Sequence, residues 1–222
     1  MKISNKRILQ IFSHCINKNR VKLTRFNYKE EIIDKINAIP NLEIQFECSC
    51  GVSKLVLRPI DKDNHFVIKI PFTGEEREDK YYPFTWEDNG ITWYMGNYCD
   101  IEAERCKVIV NNGWGDFIAK TSLIGIIDDL FIYKQELVDT IAEDKIYNGT
   151  NFSIWDEASN YTSEEIDEYW VTELKDFAGE ETAIQFIQFL ESEGFCGDIH
   201  GANCGFKKDG TPVIFDYSDF WS

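Results

Sequence analysis

The chain has 222 residues, of which 43% are hydrophobic and 14% aromatic, and its formal net charge is −16. A chain of this length and composition can bury a hydrophobic core, as one domain or two small lobes, so an intrinsically disordered protein is not expected. The acidic surface repels phosphates, which disfavours a nucleic-acid partner. No apolar run approaches the roughly 20 residues that span a bilayer, so no membrane partner is expected either.

The N-terminus and the cysteines favour a cytoplasmic location. The apolar stretch 8–12 is too short to be the core of a secretory signal. Seven cysteines is an odd number, and without an export signal we expect reduced, mostly buried thiols. The only close pair, Cys48 and Cys50, has no accompanying Cys-x-x-Cys or His–Cys cluster, which disfavours a structural zinc site.

The first part of the chain predicts two helices and then strands. Apolar residues recur at helical spacing in two segments, 7–17 and 28–39. Pro40 ends the second of these patterns. Strand-like patterns follow in three segments, 42–46, 54–58 and 65–70. Residues 72–96 are aromatic and polar without a clear period, so we expect an irregular insertion there.

The middle of the chain changes from strands to helices. A helix is predicted at 100–111, and strands at 122–127 and 130–133 flank a turn at Asp128 and Asp129. Two more helices are predicted at 162–177 and 180–193. The first opens with a capping box, and Gly194 is the natural C-cap of the second. This order of elements predicts an α+β fold.

The most informative segment is 197–218. Asp198 lies five residues before Asn203, and Asp216 lies thirteen residues after it. A turn signal at 208–210 predicts a β-hairpin that brings Asn203 beside Asp216. Two oxygen donors that face one point suit a hard cation such as Mg²⁺, which also holds substrate phosphates. Asp198 is placed to act as a base or to orient an attacking hydroxyl.

This segment and the order of elements resemble the kinase-like superfamily, which covers protein kinases and aminoglycoside-phosphotransferase-type kinases of small molecules. The motif Gly-Asp-Ile-His-Gly-Ala-Asn at 197–203 is similar to the catalytic loop of the small-molecule, phage and bacterial members. The resemblance spans residues 42–218 and is specific only in its last part. It implies that Asp198 is the catalytic residue and that Asn203 and Asp216 bind the metal.

The resemblance also implies a strand lysine that binds the ATP phosphates and a helix glutamate that pairs with it. Lys69 and Val67 fit this strand, because alternation puts both on one face, where Val67 can touch the adenine ring. Glu102 and Glu104 are the two candidates for the glutamate. They lie on different sides of their helix, and Glu102 is preferred because it shares the apolar side.

Two positions depart from the family pattern. The loop that covers the phosphates should be rich in glycine, and here Gly51 and Ser53 are the residues whose backbone amides could cradle phosphate. In place of the family's Asp-Phe-Gly, the chain has Asp216 followed by Tyr217 and Ser218. The missing glycine removes a flexible point after the metal-binding aspartate.

The resemblance therefore implies a two-lobed kinase-like fold. It consists of an N-terminal helical extension (1–40), a strand-rich N-lobe with one inserted helix (41–137) and a reduced helical C-lobe with the catalytic loop and metal-binding hairpin (138–222). The implied function is transfer of the ATP γ-phosphate, with Mg²⁺, to a hydroxyl of a protein or small molecule. The alternative, favoured by the glycine-poor loop, is a pseudokinase-like nucleotide-binding or regulatory module without efficient catalysis.

Overall fold

The structure is a computed structural model that describes residues 2–16, 22–51, 53–61, 63–78, 80–83, 85–88, 91–94, 97–141, 168–197 and 199–218. The chain forms two compact units, one comprising Met1–Asp100 and Thr121–Glu136, the other Ile101–Lys120 and Leu137–Ser222. Each unit has its own cluster of buried apolar side chains. The architecture mixes α-helices with antiparallel sheet, as the order of elements predicted at this level.

The first unit begins with two short helices. Helix α1 spans Asn5–Cys15 and starts at Ser4, whose hydroxyl accepts the N–H of Arg7. A π-helical turn at Lys29–Ile33 leads into α2, Asp34–Asn37. Both predicted helices are therefore present.

The strands of the first unit are, in chain order, β1 (Phe46–Cys50), β2 (Lys54–Pro59), β3 (Phe66–Pro71), β4 (Gly74–Arg77), β5 (Lys80–Pro83), β6 (Thr85–Asp88), β7 (Ile91–Tyr94), β8 (Thr121–Ile127) and β9 (Leu130–Glu136). Five of them form one antiparallel sheet in the order β1-β2-β3-β9-β8. The other four form two separate hairpins, β4–β5 and β6–β7. Residues 72–96 were predicted to be irregular and instead contain these two hairpins.

The two faces of the five-stranded sheet differ in polarity. One face packs against the N-terminal helices through Leu55, Leu57, Ile68, Ile70, Ile8, Phe12 and Ile32. On the other face, Val56 lies opposite Lys69, and Lys69 lies opposite Tyr133. This second face, which we call the polar face, also carries buried polar side chains at Lys54, Thr121 and Gln135.

The strand predicted at 42–46 is wrong. Strand β1 begins at Phe46 and pairs with β2 up to Cys50. Ile44 is buried in the core of this unit, and Leu42 packs against the same core. The alternating pattern at 42–46 therefore comes from two apolar residues, Leu42 and Ile44, that contribute to the core. It does not come from a strand.

The described part of the second unit combines helices with a small sheet. Helix α3 (Tyr98–Asn111) begins in the first unit, and it is followed by α4 (Glu168–Ala178) and α5 (Glu180–Ser192). Three short strands, β10 (Asp139–Thr140), β11 (Cys204–Phe206) and β12 (Pro212–Ile214), form an antiparallel sheet in chain order. Trp170, Phe186 and Leu190 are fully buried between these elements.

The helices of the second unit follow the prediction where the structure describes them. Of the helix predicted at 162–177, residues 162–167 lie outside the described part, and the remainder coincides with α4. Helix α5 ends just before Gly194, whose φ of 70° is the left-handed value expected of a C-cap glycine. Within the described residues, no helix combines the length and the apolar character needed to cross a membrane.

Candidate functional site

The β11–β12 hairpin, predicted from the sequence, is present and brings Asn203 and Asp216 to one end of the ladder. Asn203 directly precedes β11, and its carbonyl accepts the N–H of Phe215 at 2.8 Å. Asp216 is the next residue after Phe215. The hydrogen bonds of the hairpin therefore hold the main chains of Asn203 and Asp216 near each other, although the two residues are thirteen positions apart in the sequence.

The opposite end of the hairpin is closed by a hydrogen-bonded turn. Gly210, with φ of 88°, donates its N–H to the carbonyl of Lys207 at 2.9 Å. The Asp209 carboxylate accepts the hydroxyl of Thr211 at 2.8 Å and its N–H at 3.1 Å. These hydrogen bonds, the one from the Thr211 hydroxyl first, lower the pKa of Asp209. The turn therefore sets the register that aligns Asn203 with Phe215.

The main chain at Asp216 is held by α3. Asp216 adopts φ of 59°, in the left-handed region that non-glycine residues rarely occupy. Its N–H donates to Glu102 Oε1 at 2.9 Å, and Glu102 is fully buried. One turn later on α3, Arg105 Nη1 donates to the carbonyl of Tyr217 at 2.9 Å. Two side chains of one helix thus hold the main chain at the candidate metal-binding aspartate and at the residue after it, Tyr217.

Arg105 also contacts the segment that leads to the predicted catalytic loop. Its guanidinium lies over the ring of Phe195, 4.8 Å from the ring centre. Sequence reasoning missed Arg105. The one signal that could have found it is the i, i+3 spacing from Glu102, which puts both side chains on one side of the helix.

The predicted catalytic residue, Asp198, lies outside the described residues. Close to it in sequence, His200 caps a 3₁₀ turn at Gly201–Asn203, and its Nδ1 accepts the N–H of Ala202 at 3.2 Å. The other ring nitrogen lies 3.3 Å from the side-chain amide nitrogen of Asn203. The imidazole therefore lies against the side chain of Asn203, which is itself buried.

Lys69 lies on the polar face of the first unit, together with Val67, as strand alternation predicted. Its side chain is only 3% exposed. Lys54, which sequence reasoning missed, is also buried and is the diagonal neighbour of Lys69, because Val56 is directly opposite Lys69. The amino groups of Lys69 and Lys54 thus belong to the same buried face of the sheet.

A network of hydrogen bonds on the polar face holds the first residues of α3 in place. The Tyr133 hydroxyl donates to Asp100 Oδ1 and accepts from Asn97 Nδ2, both at 2.9 Å. Asn97 Oδ1 in turn accepts the N–H of Asp100 at 3.2 Å. Burial and the hydrogen bond to Asp100 raise the pKa of Tyr133, so its hydroxyl stays protonated. No sequence motif pointed to these three residues.

In the loop between β1 and β2, the structure describes Gly51 and Ser53, the two residues predicted to cradle phosphate. The N–H of Gly51 donates to the carbonyl of Lys54 at 3.0 Å, so this amide is already engaged. A Cβ added to Gly51 would meet no atom within 4 Å, and its φ does not require glycine. Ser53 is buried, and its carbonyl accepts the N–H of Phe72 at 2.9 Å.

The two candidates for the helix glutamate have different environments. The side chain of Glu104 is 63% exposed and pairs with Lys107 at 2.5 Å. Glu102 is buried and bonds the main chain at Asp216. Glu102 is therefore the inward-facing residue of the two, as its apolar helix side predicted. Its pairing with Lys69 stays a prediction.

Metal binding would depend on Asn203 and Asp216, whose amide and carboxylate oxygens are suitable ligands for a hard cation. In the described part of the chain, no group of three or more His, Cys, Asp or Glu side chains is arranged to hold a metal ion. A cavity of about 300 Å³ lies in the first unit, lined by Lys2, Ile3, Ser4, Arg7, Glu43, Ile44, Asp61 and Asn64. None of the predicted site residues lines it.

Comparison with known proteins adds no family assignment. No protein-family model matches the chain, and no curated protein matches it with significant similarity.

Proposed function

We propose that the chain is a kinase-like phosphotransferase that uses ATP and Mg²⁺ to phosphorylate a hydroxyl of a protein or small molecule. The observation that carries the proposal is the hairpin hydrogen bond between Phe215 N–H and the Asn203 carbonyl. This bond lies at the end of the hairpin to which Asn203 and Asp216 both belong. The amide oxygen of one and the carboxylate of the other are ligands that suit Mg²⁺. The proposal includes a two-lobed kinase-like fold, with the first unit as N-lobe and the second as C-lobe.

Each residue has a role in this proposal. Asn203 and Asp216 hold Mg²⁺, which neutralises charge on the transferring phosphate. Lys69 binds phosphate oxygens, Val67 contacts the adenine ring, and Asp198 accepts the proton of the acceptor hydroxyl. Catalysis then consists of positioning and charge neutralisation. The net charge of −16 makes such local cations important, because an acidic protein otherwise repels a triphosphate.

Calorimetry of ATP binding, with and without Mg²⁺, tests the metal site. We expect binding that requires Mg²⁺ and that weakens by about 10–100-fold in Asp216→Asn, because a charged interaction is removed. Asp209→Asn is the matched control, since it makes the same change at the opposite end of the same hairpin and should leave affinity unchanged. If the wild type does not bind ATP under either condition, the proposal is rejected.

Turnover tests the role of Asp198. With a screened set of hydroxyl acceptors, Asp198→Ala should reduce phosphoryl transfer by roughly 10²–10⁴-fold, while ATP affinity stays close to that of the wild type. A group that acts on the acceptor hydroxyl contributes in the transition state and not to nucleotide binding. Undiminished turnover in Asp198→Ala would remove Asp198 from the mechanism.

The second candidate function is a pseudokinase-like nucleotide-binding or regulatory module. It is favoured by the Gly51 amide, which is bonded to the Lys54 carbonyl instead of being directed at a ligand. The calorimetry separates the two functions. Equal ATP affinity with and without Mg²⁺, together with no turnover, would select the binding module.

A further inference from the structure

The seven cysteines all lie within the described residues, and they fall into two classes. Five are buried: Cys15, Cys99, Cys106, Cys196 and Cys204. The other two, Cys48 and Cys50, are exposed, and both belong to β1. Solutes can therefore reach this pair without any opening of the fold.

Cys48 and Cys50 project from the same face of β1. They are two residues apart in the strand, so their side chains point in the same direction. Cys48 pairs with Leu57 and Cys50 pairs with Leu55, which puts both thiols on the sheet face that the N-terminal helices cover. They remain exposed because β1 is the outermost strand of the sheet on this side.

Tyr28, the residue before the π-helical turn, lies beside the two thiols. Burial raises the pKa of Tyr28, and so do the neighbouring side chains of Cys50 and Cys48. Tyr28 belongs to a different element of the same unit and adds an oxygen donor to the surroundings of the two sulfur donors.

The strand geometry suits a bridging ion better than a disulfide. Residues i and i+2 of a strand have Cα atoms about 6.4–6.8 Å apart with parallel side chains. A disulfide needs Cβ atoms about 3.5–4.5 Å apart, so it would require β1 to buckle. Two sulfur atoms bound to one tetrahedral ion at about 2.3 Å are about 3.8 Å apart. Rotation of the two side chains toward each other can reach that separation without a change in the main chain.

We propose that Cys48 and Cys50 form a bidentate thiolate site for a soft d¹⁰ cation of the Zn²⁺ or Cu⁺ class. Thiolates are the protein ligands that these ions prefer. Each thiol loses its proton to solvent as its metal–sulfur bond forms, and water or the Tyr28 hydroxyl occupies the remaining positions. Two sulfur ligands from the protein, with solvent at the remaining positions, leave the ion exchangeable.

Titration of the reduced protein with Cd²⁺ as probe tests this site. Cadmium bound to thiolate gives a sulfur-to-metal charge-transfer absorption that carboxylates and imidazoles do not give. We expect one strongly bound equivalent per chain. Cys48→Ser and Cys50→Ser should each weaken binding by about 10²-fold or more, because the second ligand no longer acts intramolecularly.

Ser49→Ala is the matched control. Ser49 is exposed between the two cysteines and pairs with Val56, on the opposite face of the strand. It should retain wild-type binding, and circular dichroism should show that all variants remain folded. The proposal is overturned if the wild type lacks the charge-transfer band, or if the two serine variants bind Cd²⁺ as tightly as the wild type.

Discussion

At the scale of single residues, the main chain around Asp216 depends on side chains from another part of the sequence. Asp216 has a left-handed backbone conformation, which costs of order 1–3 kcal/mol for a non-glycine residue. Such a conformation persists only where the surrounding structure holds it. Glu102 accepts the N–H of Asp216, and Arg105 donates to the carbonyl of the following residue, Tyr217. These contacts link residues more than a hundred positions apart.

The hydrogen bond to Asp216 makes Glu102 sensitive to substitution. Glu102→Ala should reduce the free energy of unfolding by about 1–3 kcal/mol, because the N–H of Asp216 loses its acceptor in a buried environment. Glu102→Gln keeps an oxygen acceptor and should lose less. Urea unfolding of these variants measures the effect. Glu104→Ala is the control, since Glu104 is exposed, and equal losses in Glu102→Ala and Glu104→Ala would contradict the prediction.

Acid stability should depend on a second carboxylate, Glu43. Arg7 hydrogen-bonds both oxygens of Glu43, which lowers the pKa of Glu43 from 4.5 to about 2. A depressed folded-state pKa gives stability that is fully present above pH 4.5 and is lost as the pH falls toward 2. Glu43→Gln should therefore flatten the decrease in melting temperature over this interval, and Arg7→Gln should do the same. A Glu43→Gln profile that parallels the wild-type profile would refute this.

At the scale of elements, the three-stranded sheet of the second unit leaves no room for a side chain at Gly205. A Cβ there would clash with Val138 and would lie 2.5 Å from the main-chain oxygen of Asp139. Gly205 pairs with Thr140 on one side and with Val213 on the other. The hairpin that carries Asn203 therefore depends on a glycine at the centre of its first strand.

Gly205→Ala should destabilise the protein by about 1–3 kcal/mol, the usual range for overpacking. Gly51→Ala is the control, because an added Cβ there meets no atom within 4 Å. It should be neutral, or more stable by up to about 1 kcal/mol through reduced entropy of the unfolded chain. Denaturant titration of both variants checks the prediction, and a Gly205→Ala variant as stable as Gly51→Ala would disprove the close approach of β10.

At the scale of the whole molecule, 39 acidic residues against 23 basic ones give the net charge of −16. Repulsion among like charges destabilises a compact chain, and dissolved salt screens it. The screening length falls from about 30 Å at 0.01 M to about 10 Å at 0.1 M ionic strength. The melting temperature should therefore rise when NaCl increases over this range, and a fall would contradict a dominant role for net charge.

MgCl₂ at matched ionic strength separates screening from specific binding. If Asn203 and Asp216 bind Mg²⁺, the wild type should gain additional stability with MgCl₂ by mass action, and Asp216→Asn should gain less. Asp209→Asn should behave like the wild type. An identical response of Asp216→Asn and Asp209→Asn to MgCl₂ would indicate that the ion acts on the net charge alone.

The sequence by itself determined the elements whose signals are local. Asp128 and Asp129 both adopt positive φ in the two-residue turn between β8 and β9, as their position between two apolar runs predicted. Helix α5 and the β11–β12 hairpin were also predicted from the sequence, because periodicity, caps and turn residues act within a few positions. From the predicted hairpin it followed that Asn203 lies beside the end of β12.

Only the tertiary structure decided the burial of polar side chains and the true start of β1. The alternation at 42–46 could not distinguish a strand from a loop that fills the core. Whether Lys54 is solvated or buried depends on what covers its face of the sheet, and the role of Glu102 depends on a peptide group 114 residues away. Such contacts are non-local, so neither propensity nor spacing along the chain encodes them.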